Sequence, residues 1–485
     1  MAVMSKLRSC DTCGEKTTPS NWARHLKRHH PELVTQWRIK EEQVRCEQCI
    51  HDGRGEWFVV RSKIKRHYDR FHQGFVHSGN KRRRLQIPAT ADDESPAATQ
   101  EEMVHMYLTA TEAMVQESLR QIQDLITVQR FGEKSRLAVE MADYQQEMQR
   151  HVPMKPMTLA DYHNMLRGED LAMEYRYGCV ICSPADARTI LEMGSPRVPI
   201  VVPGPALGRS SVTIDQYLAY LSSKPTIDVH TYSQPVDDQG GHLQPRSLTS
   251  NEAIRLFRDE SAGPVNLLNL DVYRQNEIPA CIANLPAYSI LRDIREHNTC
   301  GKRIQSQPSD LSGCIAFQIL GKRGVQSLPH RDHHGVVTTL LCEEGEKCWL
   351  MYPEMDAEVL QRWSASNAAA PEPRPFPICL RPGDLLIQPA GRIHAPFSVS
   401  DVLITGTMHW DSREMVQVLR MSLYERTNPA VTNEATAMEF SSKLDTIRGL
   451  WGQRHESWPW GSGEDFAEFC SLLEVSNSIR GRNPC

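Results

Sequence analysis

A mostly β body, flanked by helices and preceded by small metal-stapled modules, is the fold class this sequence predicts. Three observations carry it. Short apolar runs punctuated by Gly, Pro and Asp recur between residues 199 and 408 without regular βαβ alternation, the texture of an antiparallel barrel or sandwich. Two tight Cys-x-x-Cys pairs with histidines downstream sit near the N-terminus, and thiolate with imidazole at such spacing holds zinc. Helical periodicity occupies about residues 101–150 and most of 411–485, on either side of the strands.

The strand-like runs are Pro199–Val202, Ile227–His230, Cys314–Leu320, Val336–Leu341, Cys348–Tyr352, Asp384–Gln388 and Val402–Met408, with short helical segments at Ile214–Leu221 and Ser250–Phe257. Ahead of them, Val104, Leu108, Val115, Leu119, Ile122 and Ile126 make one apolar seam; Leu137, Met141, Tyr144 and Met148 make a second after Gly132. Two helices broken near Gly132 are expected there, packed within the chain, with dimerisation the alternative. The resulting division is 1–80 for two zinc fingers, 81–100 for a basic cluster and polar linker, 101–152 helical, 153–412 catalytic with a core of 195–412, and 413–485 helical.

Charge divides the chain in the same place. The net charge is −5, yet residues 1–90 hold 19 Lys+Arg against 9 Asp+Glu, a surplus of ten, so the remainder carries about fifteen excess negatives. A basic arm on an acidic body points to an anionic partner for the arm, most simply nucleic acid. No stretch approaches 18 apolar residues and Met1 to Cys10 lacks a signal-peptide core, so no membrane role is expected. The 14 cysteines in a chain of this size read as metal ligands and core thiols of a reducing compartment. Cys179-x-x-Cys182, with Val180 and Ile181 between, reads as buried strand rather than a third metal site.

The chemistry centres on Ser327-Leu328-Pro329-His330-Arg331-Asp332. Residues two apart on a strand share a face, so His330 and Asp332 can both point inward while Arg331 points away. A distant third ligand is expected at His394, which follows the turn Pro382-Gly383-Asp384 and the run Leu385 to Gln388. Two imidazoles and one carboxylate leave open positions on Fe(II) for a bidentate oxo-acid and O2. His333, His334, His409 and Trp410 are expected to support or pack rather than ligate.

These segments, Phe317 to Pro353 and Leu380 to Thr407, resemble the Jumonji-C branch of the cupin-like 2-oxoglutarate oxygenases. Ser327, His330, Asp332, Gly345-Glu346-Lys347-Cys348-Trp349, Pro353, Pro382-Gly383-Asp384 and His394 occur in the family's order, and Val198 to Gly204 looks like its opening strand. The resemblance implies a double-stranded β-helix, a Jumonji/cupin-like barrel, with iron at the open mouth. It also implies that Lys347 and Ser327 receive the distal carboxylate of 2-oxoglutarate, a role that suits a buried cation beside a hydroxyl. The implied reaction converts 2-oxoglutarate to succinate and CO2 and oxidises a C–H bond, giving demethylation if that carbon bears an amine nitrogen and a stable alcohol otherwise. The expected substrate is a protein side chain, in a histone or other chromatin protein. The rival reading is a catalytically inactive zinc-finger regulator that binds DNA and controls transcription, against which the complete ligand set argues.

The N-terminal patterns fit two ββα fingers. Cys10, Cys13, His25 and His30 (or His29) make the first zinc site; Cys46, Cys49, His67 and His72 make the second, with each histidine pair on one helical face. Asn21 and Arg24 in the first helix, and Arg61, Lys63 and Arg66 in the second, are the base-reading candidates. The long spacer Pro31 to Arg45 departs from tandem fingers that follow one groove, so DNA is the leading partner with RNA and protein left open. Lys81-Arg82-Arg83-Arg84 reads as a nuclear import signal.

Overall fold

The computed structural model describes residues 99–128, 136–168, 175–204, 211–231, 246–274, 278–297, 315–366, 370–432 and 439–482, together with Ala437 and four short strand segments nearer the N-terminus. The chain separates into two units, Met1–Pro96 and Ala97–Cys485.

Within the first unit two antiparallel hairpins are described. β1 (Arg8–Ser9) pairs with β2 (Lys16–Thr17), and β3 (Gln43–Arg45) pairs with β4 (Phe58–Val60). The eight expected zinc ligands and His29, the base-reading candidates Asn21, Arg24, Arg61, Lys63 and Arg66, and the basic cluster Lys81 to Arg84 lie outside the described residues.

The second unit is built on two sheets. Its strands are β5 (Lys155–Met157), β6 (Gly178–Ile181), β7 (Ile200–Val202), β8 (Thr226–Thr231), β9 (Arg246–Thr249), β10 (Val265–Leu270), β11 (Ala316–Gly321), β12 (Val337–Glu344), β13 (Lys347–Met351), β14 (Phe376–Leu380), β15 (Leu385–Gln388), β16 (His394–Ser398) and β17 (Val402–His409). The large sheet has ten strands in the order β5-β6-β7-β15-β12-β17-β11-β10-β8-β9; the small one is β14-β13-β16. Leu340, Cys342, Leu386, Val402 and Ile404 of the large sheet pack against Trp349, Met351, Phe376, Ile378 and Leu380 of the small one. The interior between the sheets is therefore apolar over most of its length, and this is a mostly β, jelly-roll-like layout.

The large sheet is mixed, which differs from the antiparallel expectation. β5, β6 and β7 pair in parallel at one end. Helices Leu159–Arg167 and Pro184–Met193 lie between them in sequence and supply the crossovers that parallel neighbours require. Cys179 and Cys182 fall at this end and are buried in the core.

The two expected N-terminal seams form α1 (Gln100–Val128) and α2 (Arg136–Gln149). They pack within the chain, covering the outer face of the small sheet: Met114, Val115, Ile122, Met141, Tyr144 and Met148 meet Cys348, Leu350 and Phe397. Tyr144 stacks on Phe397 at 5.4 Å and donates its hydroxyl to the Ala395 carbonyl, 2.8 Å away. The expected segment at 214–221 is α3 (Ile214–Leu221), capped by Thr213. Beyond β17 come α4 (Met415–Thr427), α5 (Phe440–Gly452) and α6 (Gly463–Arg482). Their apolar faces join Val336, Met408 and Trp410 in one cluster, so the C-terminal helices sit directly behind the His330 to Gly335 segment. No helix among the described residues is long and apolar enough to cross a membrane.

Candidate metal centre

His330, Asp332 and His394 form the one group among the described residues able to hold a metal through three His, Cys, Asp or Glu ligands, with their ligand atoms all within 4.8 Å of one another. The backbone brings them together. His330 and His394 form an isolated antiparallel bridge, exchanging amide hydrogen bonds of 3.0 and 2.8 Å. Asp332 then sits in extended conformation at the start of a tight turn, outside any strand pairing, rather than on the regular strand the spacing predicted.

Each ligand has its spare polar atom occupied. The Nδ1 of His330 is 2.8 Å from the Leu328 carbonyl, and the Nδ1 of His394 is 3.0 Å from the Arg392 carbonyl. A carbonyl can only accept, so each ring carries its proton on Nδ1 and turns Nε2 inward. The Oδ2 of Asp332 accepts from the Thr338 hydroxyl and from the Gln388 amide at 2.9 Å. Its Oδ1 lies 3.8 Å from His394 Nε2. Burial pushes the His330 imidazole well below its ordinary value, with the His394 ring beside it adding to the effect. A neutral imidazole is the form that binds a metal. Two imidazole nitrogens and one carboxylate oxygen suit a divalent first-row ion, so the residues present fit one.

Arg331 points away from the ligands, as expected, and anchors the turn to the C-terminal helices. Its Nε is 3.2 Å from Glu425, its Nη2 donates to the Met421 carbonyl at 3.0 Å, and its guanidinium lies over Tyr424. Glu425 also accepts from the His334 amide at 2.9 Å. His334 occupies the left-handed region at φ 61°, a strained choice for a residue with a Cβ. Its carbonyl accepts from Trp410 Nε1 and its Nε2 accepts from the Ala437 amide. Burial drives its imidazole down to about 2. His334 and Trp410 thus support the turn and do not ligate. His409 lies outside the site, bonded to Thr407 at 2.8 Å.

Lys347 opens β13. Gly345 makes the turn before it at φ 82°, where an added Cβ would collide with the Asp401 carbonyl. The register pairs Met351 with His394 and Lys347 with Ser398, and partners across an antiparallel pair share a face. Lys347, Trp349, Met351 and His394 therefore all address the interior between the sheets. The Lys347 side chain is buried, and among the described residues its ammonium has no hydrogen-bond or ion-pair partner, only the Trp349 ring at 5.6 Å. Burial lowers it to about 8. Ser327 donates its amide to the Pro396 carbonyl at 3.0 Å, which places it on the strand edge between His394 and Ser398. Asp384 is structural: it is buried, accepts from the Gly204 and Arg381 amides at 2.6 and 2.9 Å, and ties the Pro-Gly-Asp turn to β7's far end.

Three contributors were missed by the sequence reading. Gln388 is the polar residue that ends the apolar run Leu385 to Ile387, a signal that could have found it. Thr338 and Glu425 carry no local signal, since their partners arrive only through folding.

No family model matches the chain. Among curated proteins, the chain is similar to KK-1 biosynthesis cluster protein D of Curvularia clavata, with 26% identity over 206 residues, 41% of this chain and 20% of that protein. The match spans about a fifth of the relative's length.

Proposed function

We propose that this chain is an Fe(II)- and 2-oxoglutarate-dependent oxygenase of the Jumonji-C type. The observation that carries the reading is Lys347. A buried ammonium without a partner costs stability unless a bound anion neutralises it, and this one shares an interior face with a metal-ligand triad. Four residue steps separate it from Met351, the position opposite His394, roughly 13 Å along the strand, a span that a lysine side chain and a five-carbon diacid fill together. Lys347 would receive the distal carboxylate, with the Ser327 hydroxyl beside it. His330, Asp332 and His394 would hold the iron, and the apolar wall of Trp349, Leu386 and Ile404 would exclude water. With O2, iron and 2-oxoglutarate supply an oxidant that takes hydrogen from a C–H bond.

The substrate in this reading is a side chain of a nuclear protein, with two zinc fingers and Lys81 to Arg84 directing the body to it. The two hairpins support the fingers, since β1 and β2 bracket Cys10 and Cys13, and β3 and β4 bracket Cys46 and Cys49. The test is mass spectrometry of chromatin proteins incubated with the full chain, Fe(II) and 2-oxoglutarate, with zinc measured on the same preparation. Two zinc ions per chain and a loss of about 14 Da or a gain of about 16 Da per event are expected, marking demethylation or hydroxylation. One zinc or none removes the two fingers; no mass change removes the protein substrate. A second reading draws on the relative's name: the same site would oxidise a small biosynthetic intermediate, and a product from such a compound alone would favour it.

A further inference from the structure

We propose that Gln388 is a positioning residue of the metal centre, one that holds Asp332 to a single ligating oxygen and offers its own carbonyl to a hydrogen-bond donor at the metal's open face. The inference rests on the metal-centre reading above and concerns a residue that the reading does not use.

Gln388 and Thr338 are direct partners across β15 and β12, so they share the interior face. Both donate to the same atom, Asp332 Oδ2. Two donors on one oxygen favour ligation through the other, Oδ1, which already lies toward His394. A bidentate carboxylate would have to give up these bonds, so the position that Oδ2 would otherwise take at a bound metal would be left to another ligand.

The second half of the amide carries the inference further. Gln388 is only 1% exposed, and its Oε1 has no donor among the described residues. The amide cannot be turned over to relieve this, because that would set Oε1 against the Asp332 carboxylate. An apolar side chain would match its strand neighbours Leu385, Leu386 and Ile387 without leaving a buried acceptor bare. The protein ligands cannot supply the donor either: Asp332 only accepts as a carboxylate, and both ligand histidines commit Nδ1 to backbone carbonyls. The donor that fits is an O–H or N–H group held at the metal, water when no substrate is bound.

The test uses the full chain with Co(II) and Mn(II) as probes, in wild type, Gln388→Met, Gln388→Leu and Thr338→Val. Both Gln388 variants should melt at or above the wild-type temperature and bind Co(II) about 10- to 100-fold more weakly, the usual loss when a ligand's partner is removed. Thr338→Val should weaken Co(II) in the same direction. Only the Gln388 variants should also speed the exchange of Mn(II)-bound water seen in water-proton relaxation. Equal Co(II) affinity in wild type and folded Gln388→Met overturns the positioning role while leaving the metal centre standing. Weaker binding with unchanged water exchange overturns the Oε1 contact. A wild-type chain that takes up neither ion overturns both this proposal and the reading beneath it.

Discussion

The two ends of the space between the sheets are built on opposite principles. At the metal-ligand end every spare polar atom of His330, Asp332 and His394 has a protein partner. At the other end Lys347 is buried, and among the described residues only an aromatic face stands beside its ammonium. The first end is preorganised, so that a metal bound there would meet three fixed ligand atoms. The second end is unfinished, so that a charge is left for something to answer. The ligand residues at one end are held by protein partners, and the contrast separates the atoms that could hold a metal from the charge that the proposed reading leaves for a bound anion.

The comparison breaks most completely at Asp332. Asp332→Ala removes the only anionic ligand, so metal binding and any turnover should fall to background while circular dichroism stays unchanged. A folded variant with wild-type Co(II) affinity would move the centre elsewhere.

Next in size is the clamp behind the ligands. Glu425→Ala leaves the Arg331 guanidinium buried without its carboxylate, and breaking such a pair costs about 3–5 kcal/mol. A lower melting temperature and weaker metal binding should appear together, because the same carboxylate holds the His334 amide. If stability falls and the metal affinity does not, the clamp supports the fold alone.

Lys347 should behave in the opposite way. A fall from 10.5 to about 8 corresponds to roughly 3 kcal/mol against folding while the ammonium is charged. The folded protein holds this proton less tightly than the unfolded chain. The penalty is therefore complete below about pH 8 and is relieved as pH rises toward 10.5. Lys347→Met should stabilise the ligand-free protein by about 1–3 kcal/mol near neutral pH, yet raise the 2-oxoglutarate concentration needed for turnover. Wild-type affinity for 2-oxoglutarate should hold level below about pH 8 and decline above it, as the ammonium loses its proton. Loss of stability in Lys347→Met, as seen in calorimetry, would mean that the ammonium has a partner after all.

The smallest effect should come from Ser327→Ala. One hydroxyl bond to a bound carboxylate contributes about 1 kcal/mol, so a Michaelis constant several-fold higher with unchanged metal binding is expected. An unaltered constant would assign the carboxylate to Lys347 alone.

The legibility of the sequence follows the same division. His330, Asp332 and His394 could be read together from a two-residue spacing and a motif order that resembles a known family, and the structure brings their ligand atoms together; Lys347 was legible through that resemblance alone. α1, α2 and β12 were visible as long periodic or apolar runs. β14 and β16 were not, since Pro377 and Pro396 interrupt them. Both strands lie at the edges of the small sheet, where proline is tolerated because the outer side carries no continuous ladder; beyond β16 there are only isolated bridges, Gln326 to Phe397 and His330 to His394. β5 and β9 are too short to carry a pattern. Thr338 and Glu425 stayed hidden for another reason: Glu425 is more than 90 residues from the Arg331 and His334 it holds, and only the packed C-terminal helix brings them together.

The most direct test joins the two ends in one reaction. Purified full chain, supplied with Fe(II) and 2-oxoglutarate in air, should release succinate above the level of the Asp332→Ala variant, and Lys347→Met should shift that release to higher 2-oxoglutarate. Succinate formation that is equal in wild type and Asp332→Ala, across the whole range of 2-oxoglutarate, would contradict the account.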